Sequence, residues 1–359
     1  MKARLEPRIN LAGRTPLETV IPLATPFIVF VDPASSCNFK CTFCPTGHRD
    51  MIAETGRFQG VMKLDLFQKI VDDLAAFERP IKVLRMYKDG EPFLNKRFAD
   101  MVAYAKKSGR VEYIDTTTNG TLLSPDRVGP VLEAGIDKIN ISVDGMNEET
   151  YLRFTGFKFD LKKFIDNVKW IYANRGNCEI VVKIPAELIT EAQRQEFFDT
   201  FGDHCDRIFV ENFAPCWPEF DIEKHTGVKI SKGIYQQDIG ETDTCPYIFY
   251  GYSVNADGLV SSCFLDWGRK LIIGDVRTQS MGSCAPKKQK KTGSTWDAGQ
   301  DQKLSAIRQR AVHERTAARI FSCETALVER GHPQGGQGNT AAPSGRKSES
   351  SGYRRSRVV

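Results

Sequence analysis

From residue 27 to residue 213 the chain alternates short runs of β-branched and aromatic residues with longer segments of helical periodicity. Few folds tolerate that alternation: strand, helix and strand in series build a parallel sheet covered by helices. Strands are expected at 27–35, 81–88, 111–119, 137–145, 178–186 and 206–213, six in all and enough for part of a barrel. Helices are expected at 62–77, 96–109, 124–135, 160–176 and 190–205. Gly109, Gly135 and Gly176 stand where three of these end, as a left-handed cap requires.

The remainder is organised differently. A connector at 214–244 leads to the stretch YSVNADGLVSSCF, which reads as two short strands about an Asn-Ala-Asp-Gly turn. Beyond Met281 the periodicity ends. Residues 282–359 hold 15 Lys and Arg against 6 Asp and Glu, whereas residues 1–281 hold 35 against 39, so a slightly acidic body carries a basic tail. The tail has the composition of a disordered segment, and without interleaved aromatics it reads as a solvated charge run, not a nucleic-acid site. The expected domains are a 1–26 extension, a 27–213 core, a 214–281 connector with a small β unit, and the 282–359 tail. No run approaches the roughly 18–20 apolar residues of a membrane helix, and the first residues lack the apolar stretch of a secretory signal. A soluble, cytoplasmic protein is expected.

Ten cysteines in such a chain suit reduced ligands or core positions better than disulfides. Three of them, Cys37, Cys41 and Cys44, fall within eight residues on the loop after the first strand. Thiolates favour iron-sulfur or zinc. Three ligands are one short of a closed site, so a four-iron cluster held this way keeps one iron open to an exchangeable ligand. The alternative is a zinc knuckle completed by His48 or a remote cysteine. Cys178 and Cys205 read as buried thiols, and Cys216 lies on a connector positioned to face the barrel mouth.

The pattern C-x-x-x-C-x-x-C, with aromatic Phe43 before its last cysteine and a β/α series around it, resembles the radical S-adenosylmethionine superfamily. The resemblance covers residues 27–213. It implies a partial (β/α)6 barrel in which Cys37, Cys41 and Cys44 hold a [4Fe-4S] cluster whose open iron takes S-adenosylmethionine. Reductive cleavage then gives methionine and a 5′-deoxyadenosyl radical that abstracts hydrogen from a substrate, an oxidoreductase-like chemistry. Asp89-Gly90-Glu91-Pro92 matches the family's glycine-glycine-glutamate segment with Asp89 in place of the first glycine, and Gly90 and Glu91 would face the cofactor ammonium. Asn119, after Thr116-Thr117-Thr118, and Ser142 and Asp144 end successive strands where polar groups meet the ribose and carboxylate. Phe43 would pack near the adenine, and Lys183 would reach the cofactor carboxylate or lie along the surface.

Cys245-Pro246, with Gly258 and Cys263 beyond it, resembles the start of a SPASM or twitch extension, which carries an auxiliary iron-sulfur cluster. That pattern continues with closely spaced cysteines, but here only Cys284 and Cys323 follow. The resemblance stops near Met281, as a shifted reading frame would produce, leaving an auxiliary site with two candidate ligands. Such enzymes act on a sugar or aminocyclitol, the preferred substrate class here, or on a peptide or protein side chain. A reducing partner such as flavodoxin or ferredoxin is implied. A molybdenum-cofactor type of enzyme would need a second cysteine triad, which is not visible. A non-catalytic iron-sulfur or zinc protein is the contrasting expectation.

Overall fold

The computed structural model describes residues 1–9, 15–239 and 246–284. Its strands are β1 (Arg4–Leu5), β2 (Ile28–Val31), β3 (Ile81–Arg85), β4 (Val111–Thr118), β5 (Lys138–Ser142), β6 (Glu179–Pro185), β7 (Arg207–Glu211), β8 (Gly251–Val254), β9 (Leu259–Ser261) and β10 (Ile272–Asp275). They form one mixed sheet in the order β1-β7-β6-β5-β4-β3-β2-β8-β9-β10. The pairs from β1 through to β8 are parallel, and β8–β9 and β9–β10 are antiparallel. This is an α/β arrangement of a partial barrel plus an extension. All six expected strands form, each within the range read from the sequence.

Period-2 alternation sorts the side chains. On β2, Val29 and Val31 join the large core beneath the helices, while Ile28 and Phe30 face a second cluster with Val83, Tyr247, Tyr250 and Cys263. Helices Leu64–Asp73, Phe98–Ser108, Pro125–Glu133, Leu161–Asn174 and Glu191–Phe201 supply the other half of the large core, among them Phe67, Met101, Val131, Phe164 and Phe197. Gly109, Gly135 and Gly176 take φ of 64°, 86° and 56°, the left-handed conformation expected of them.

The appended hairpin and a further short strand both join the barrel sheet. The hairpin β8–β9 is a continuation of the barrel sheet: β8 lies along β2, with Ile28 opposite Gly251 and Val31 opposite Val254. At the other margin β1, too short to be read from periodicity, lies along β7. Both additions cover strand edges that would otherwise leave backbone groups unpaired. The helix Glu148–Thr155 also went unread; the Asn147 side chain caps it by accepting the Thr150 N–H, and Gly156 ends it at φ 62°. No helix among the described residues is long and apolar enough to cross a membrane. The basic tail from residue 285, including Cys323, lies outside the described residues.

Candidate functional site

The cysteine loop leaves the C-terminal end of β2 and is fixed mainly through its backbone. Lys40 and Thr42 donate their N–H groups to the carbonyls of Thr155 and Phe154 at 2.7 and 2.8 Å, so the helix Glu148–Thr155 acts as its shelf. Phe39 is buried against Phe157 and Tyr151 and anchors the loop below. Gly47 closes it: a Cβ there would lie 2.2 Å from the Cys41 carbonyl oxygen. With its backbone held, the loop turns Cys37, Cys41 and Cys44 into one cavity of about 330 Å³.

The three thiols fit a metal cluster better than free thiols. Burial pushes Cys37 up to about 12, with the Glu91 charge adding to it, and burial raises Cys41 and Cys44 as well. As thiolates the three would need a compensating cation, which a bound metal cluster would supply. Among the described residues no three His, Cys, Asp or Glu side chains converge as a single metal ion would require. His48 does not complete a zinc site: its ring packs on His225 and Phe220 and its Nε2 lies 3.2 Å from the Thr42 carbonyl oxygen.

Gly90 and Glu91 meet the loop from the end of β3. The Glu91 N–H donates to the Ser36 carbonyl at 3.0 Å. Its carboxylate is only 2 % exposed and accepts three bonds, from Phe93 N–H at 3.1 Å, Thr118 hydroxyl at 2.7 Å and Asn119 N–H at 2.8 Å. Burial raises Glu91 to about 7, against the pull of these donors. Because Phe93 and Asn119 occupy different oxygens, Glu91→Gln must turn its amide toward a backbone N–H. A loss of about 1–3 kcal/mol is expected in chemical denaturation; unchanged stability would show that the three bonds do not hold the strand end.

Asn119 is also engaged, donating to Asn38 Oδ1 at 2.8 Å and lying 3.9 Å from Cys37 Sγ. It braces β4 against the cysteine loop. By contrast, the Ser142 and Asp144 side chains line the cavity with no hydrogen bond to the described residues, and burial raises Asp144 to about 6 despite Lys183. Thr117 is their neighbour there; its hydroxyl is buried and unpartnered, while Thr116 and Thr118 spend theirs on Met86 O and Glu91.

The cavity thus gathers every expected site residue of the core: Cys37, Cys41, Cys44, Phe43, Gly90, Glu91, Asn119, Ser142, Asp144, and also Lys183 and Cys216. Phe43 stacks on Phe213, just beyond β7, ring centroids 4.9 Å apart. Sequence reasoning missed the far wall. There Lys183 Nζ donates to Glu211 Oε2 at 2.8 Å, Arg8 Nε to Glu211 Oε1 at 3.2 Å, and Arg8 also reaches the Tyr87 hydroxyl. Glu211 ends a strand and could have been noticed for that; Arg8, brought by β1, carries no signal.

Of the two expected auxiliary ligands, Cys263 is buried beside Ile28, Phe30, Tyr247 and Tyr250, and Cys245 lies outside the described residues. Cys284 is buried in the main core.

Residues 31–198 match the model of the Radical SAM superfamily. The chain is 27% identical over 197 residues to GTP 3′,8-cyclase of Clostridium perfringens (strain 13 / Type A), covering 55% of this chain and 57% of that protein, so it spans little more than half the relative's length. Among solved structures it resembles Streptococcus suis SuiB bound to precursor peptide SuiA, with TM-score 0.54 and 12% identity over 74% of this chain and 65% of that one. It also resembles anSMEcpe with bound AdoMet, with TM-score 0.53 and 17% identity over 72% of this chain and 80% of that one. At such identities the likeness is one of fold. Residues 31–198, a little under half of the chain, are thus similar to the Radical SAM superfamily.

Proposed function

We propose that this protein is a radical S-adenosylmethionine enzyme. The observation that carries the reading is the single cavity in which three thiols from one loop meet polar groups from the ends of β4, β5 and β6. Cys37, Cys41 and Cys44 would hold a [4Fe-4S] cluster. When bound, that cluster supplies the electron that cleaves S-adenosylmethionine to methionine and a hydrogen-abstracting 5′-deoxyadenosyl radical. The chain's own task is to orient the cofactor and keep water out. Glu91 has about four lone-pair sites and spends three on the strand end, which leaves one for an ammonium. Thr117, Ser142 and Asp144 offer uncommitted hydroxyl and carboxylate groups to a ribose, and Phe43 offers an aromatic face to the adenine.

For the substrate we infer a small polar molecule of the sugar or aminocyclitol class. The Arg8–Glu211–Lys183 network and the Tyr87 hydroxyl present donors and acceptors suited to hydroxyl and amine groups. The alternative is a peptide, the partner named for SuiB. The test is anaerobic reconstitution with iron and sulfide, followed by 5′-deoxyadenosine assay under strong reductant. About four irons per chain and turnover raised by nucleotide sugars or aminocyclitols are expected. Stimulation by peptides alone would move the reading to peptide modification, and bound zinc with no 5′-deoxyadenosine would end it.

A further inference from the structure

Asp89, which stands where the related pattern has glycine, is the hub of a buried ionic cluster. Its Oδ2 accepts from Arg57 at 2.5 Å, Lys88 at 2.8 Å and Arg269 at 3.3 Å, and its N–H donates to Asp32 Oδ1 at 3.3 Å. The Arg57, Lys88 and Asp89 side chains are at most 2 % exposed and that of Arg269 is 9 % exposed. Arg57 lies under the Trp267 ring at 4.5 Å. The indole N–H donates to the Thr46 hydroxyl at 2.9 Å, and that hydroxyl donates to the Asp89 carbonyl at 2.8 Å.

Three cations here face two carboxylates. Nε and NH1 of both Arg57 and Arg269 are buried without a hydrogen-bond partner. Surplus positive charge in dry surroundings is costly unless an anion lies close. The cysteine loop can provide one: Thr46 is two residues from Cys44 and lines the cavity together with Cys44 and Asp89. The charge of an iron-sulfur cluster and of groups near it sets its potential.

We propose that Arg57 and Arg269, held by Asp89, are positioning residues that stabilise the negative charge of a cluster on Cys37, Cys41 and Cys44 and so raise its reduction potential. This rests on the cluster reading given above. It also makes the segment after β9, through Trp267 and Arg269, a part of the cofactor site. The test is an EPR-monitored redox titration of the reconstituted full chain, comparing wild type with Arg57→Gln, Arg57→Lys, Arg269→Gln and Arg277→Gln. Arg277 is the control, half-exposed and paired with Asp275. The Arg57 and Arg269 glutamine variants should load iron as wild type does and titrate at more negative potentials. Arg57→Lys should return toward wild type, and Arg277→Gln should not move. Iron-loaded Gln variants with the wild-type potential, or a lysine variant indistinguishable from glutamine, would overturn the proposal. If Arg57→Gln does not fold, Arg269→Gln decides. A wild-type chain that forms no cluster would sink the cluster reading as well, whereas a cluster with an unmoved potential sinks only this one.

Discussion

Cys41→Ala is expected to lose bound iron and 5′-deoxyadenosine formation to background while keeping its fold. The loop does not depend on the Cys41 side chain: Phe39 anchors it by burial, Lys40 and Thr42 tie it by backbone bonds to Thr155 and Phe154, and Gly47 packs on the Cys41 backbone. Removing the thiol would leave a bound cluster two protein ligands in place of three. The informative companion is Cys205→Ala. That thiol is fully buried and lies 3.2 Å from the Phe201 carbonyl oxygen, remote from the cavity. It should cost about 1 kcal/mol of stability and leave iron and turnover intact. Iron counting, far-ultraviolet circular dichroism and product assay on the two variants decide the matter. A Cys41→Ala protein that still holds iron and cleaves S-adenosylmethionine would refute the assignment of the triad.

How much of this was legible beforehand follows from the range over which each signal acts. The strands β2 to β7 were readable because each is a short apolar run bounded by turn residues. The triad was readable because its three ligands come from one loop and need no tertiary knowledge to be grouped. Glu91 could be picked out, yet its commitment to Phe93, Thr118 and Asn119 could not, because that depends on where β3 and β4 end relative to each other. The far wall was invisible for the same reason: Arg8 and Glu211 are 203 positions apart and meet only once β1 pairs with β7. Asp89 looked like an imperfect match to a glycine. Its partners Arg57 and Arg269 come from opposite directions along the chain, and only their packing reveals why a carboxylate stands there.

Gly90→Ala, the addition of one methyl group, is expected to prevent cluster loading. A Cβ at this position would lie 2.1 Å from the Ser36 carbonyl oxygen and 2.4 Å from that of Ala34. Both are backbone atoms, so no side chain can swing aside. The segment they belong to is itself pinned: the Ser35 N–H donates to Gly60 O at 2.9 Å, the Ser35 hydroxyl to Phe58 O at 2.7 Å, and Asn95 Nδ2 to Pro33 O at 3.0 Å. Relief therefore comes by displacing either residues 34–36, which carry Cys37 with them, or the 89–91 segment, which breaks the Glu91 bonds. Overpacking of this kind costs about 3 kcal/mol or more, roughly a 6–10 °C fall in melting temperature for a domain of this size. Gly109→Ala separates this clash from a general effect of filling a glycine. Gly109 has φ 64° and nothing within 4 Å of its Cβ position, so its substitution should cost only about 1 kcal/mol of backbone strain and leave iron binding alone. Melting curves and iron content of the two alanine variants, side by side, test the contact. A Gly90→Ala protein that loads iron like wild type would mean that the cysteine loop is not held where Gly90 meets it.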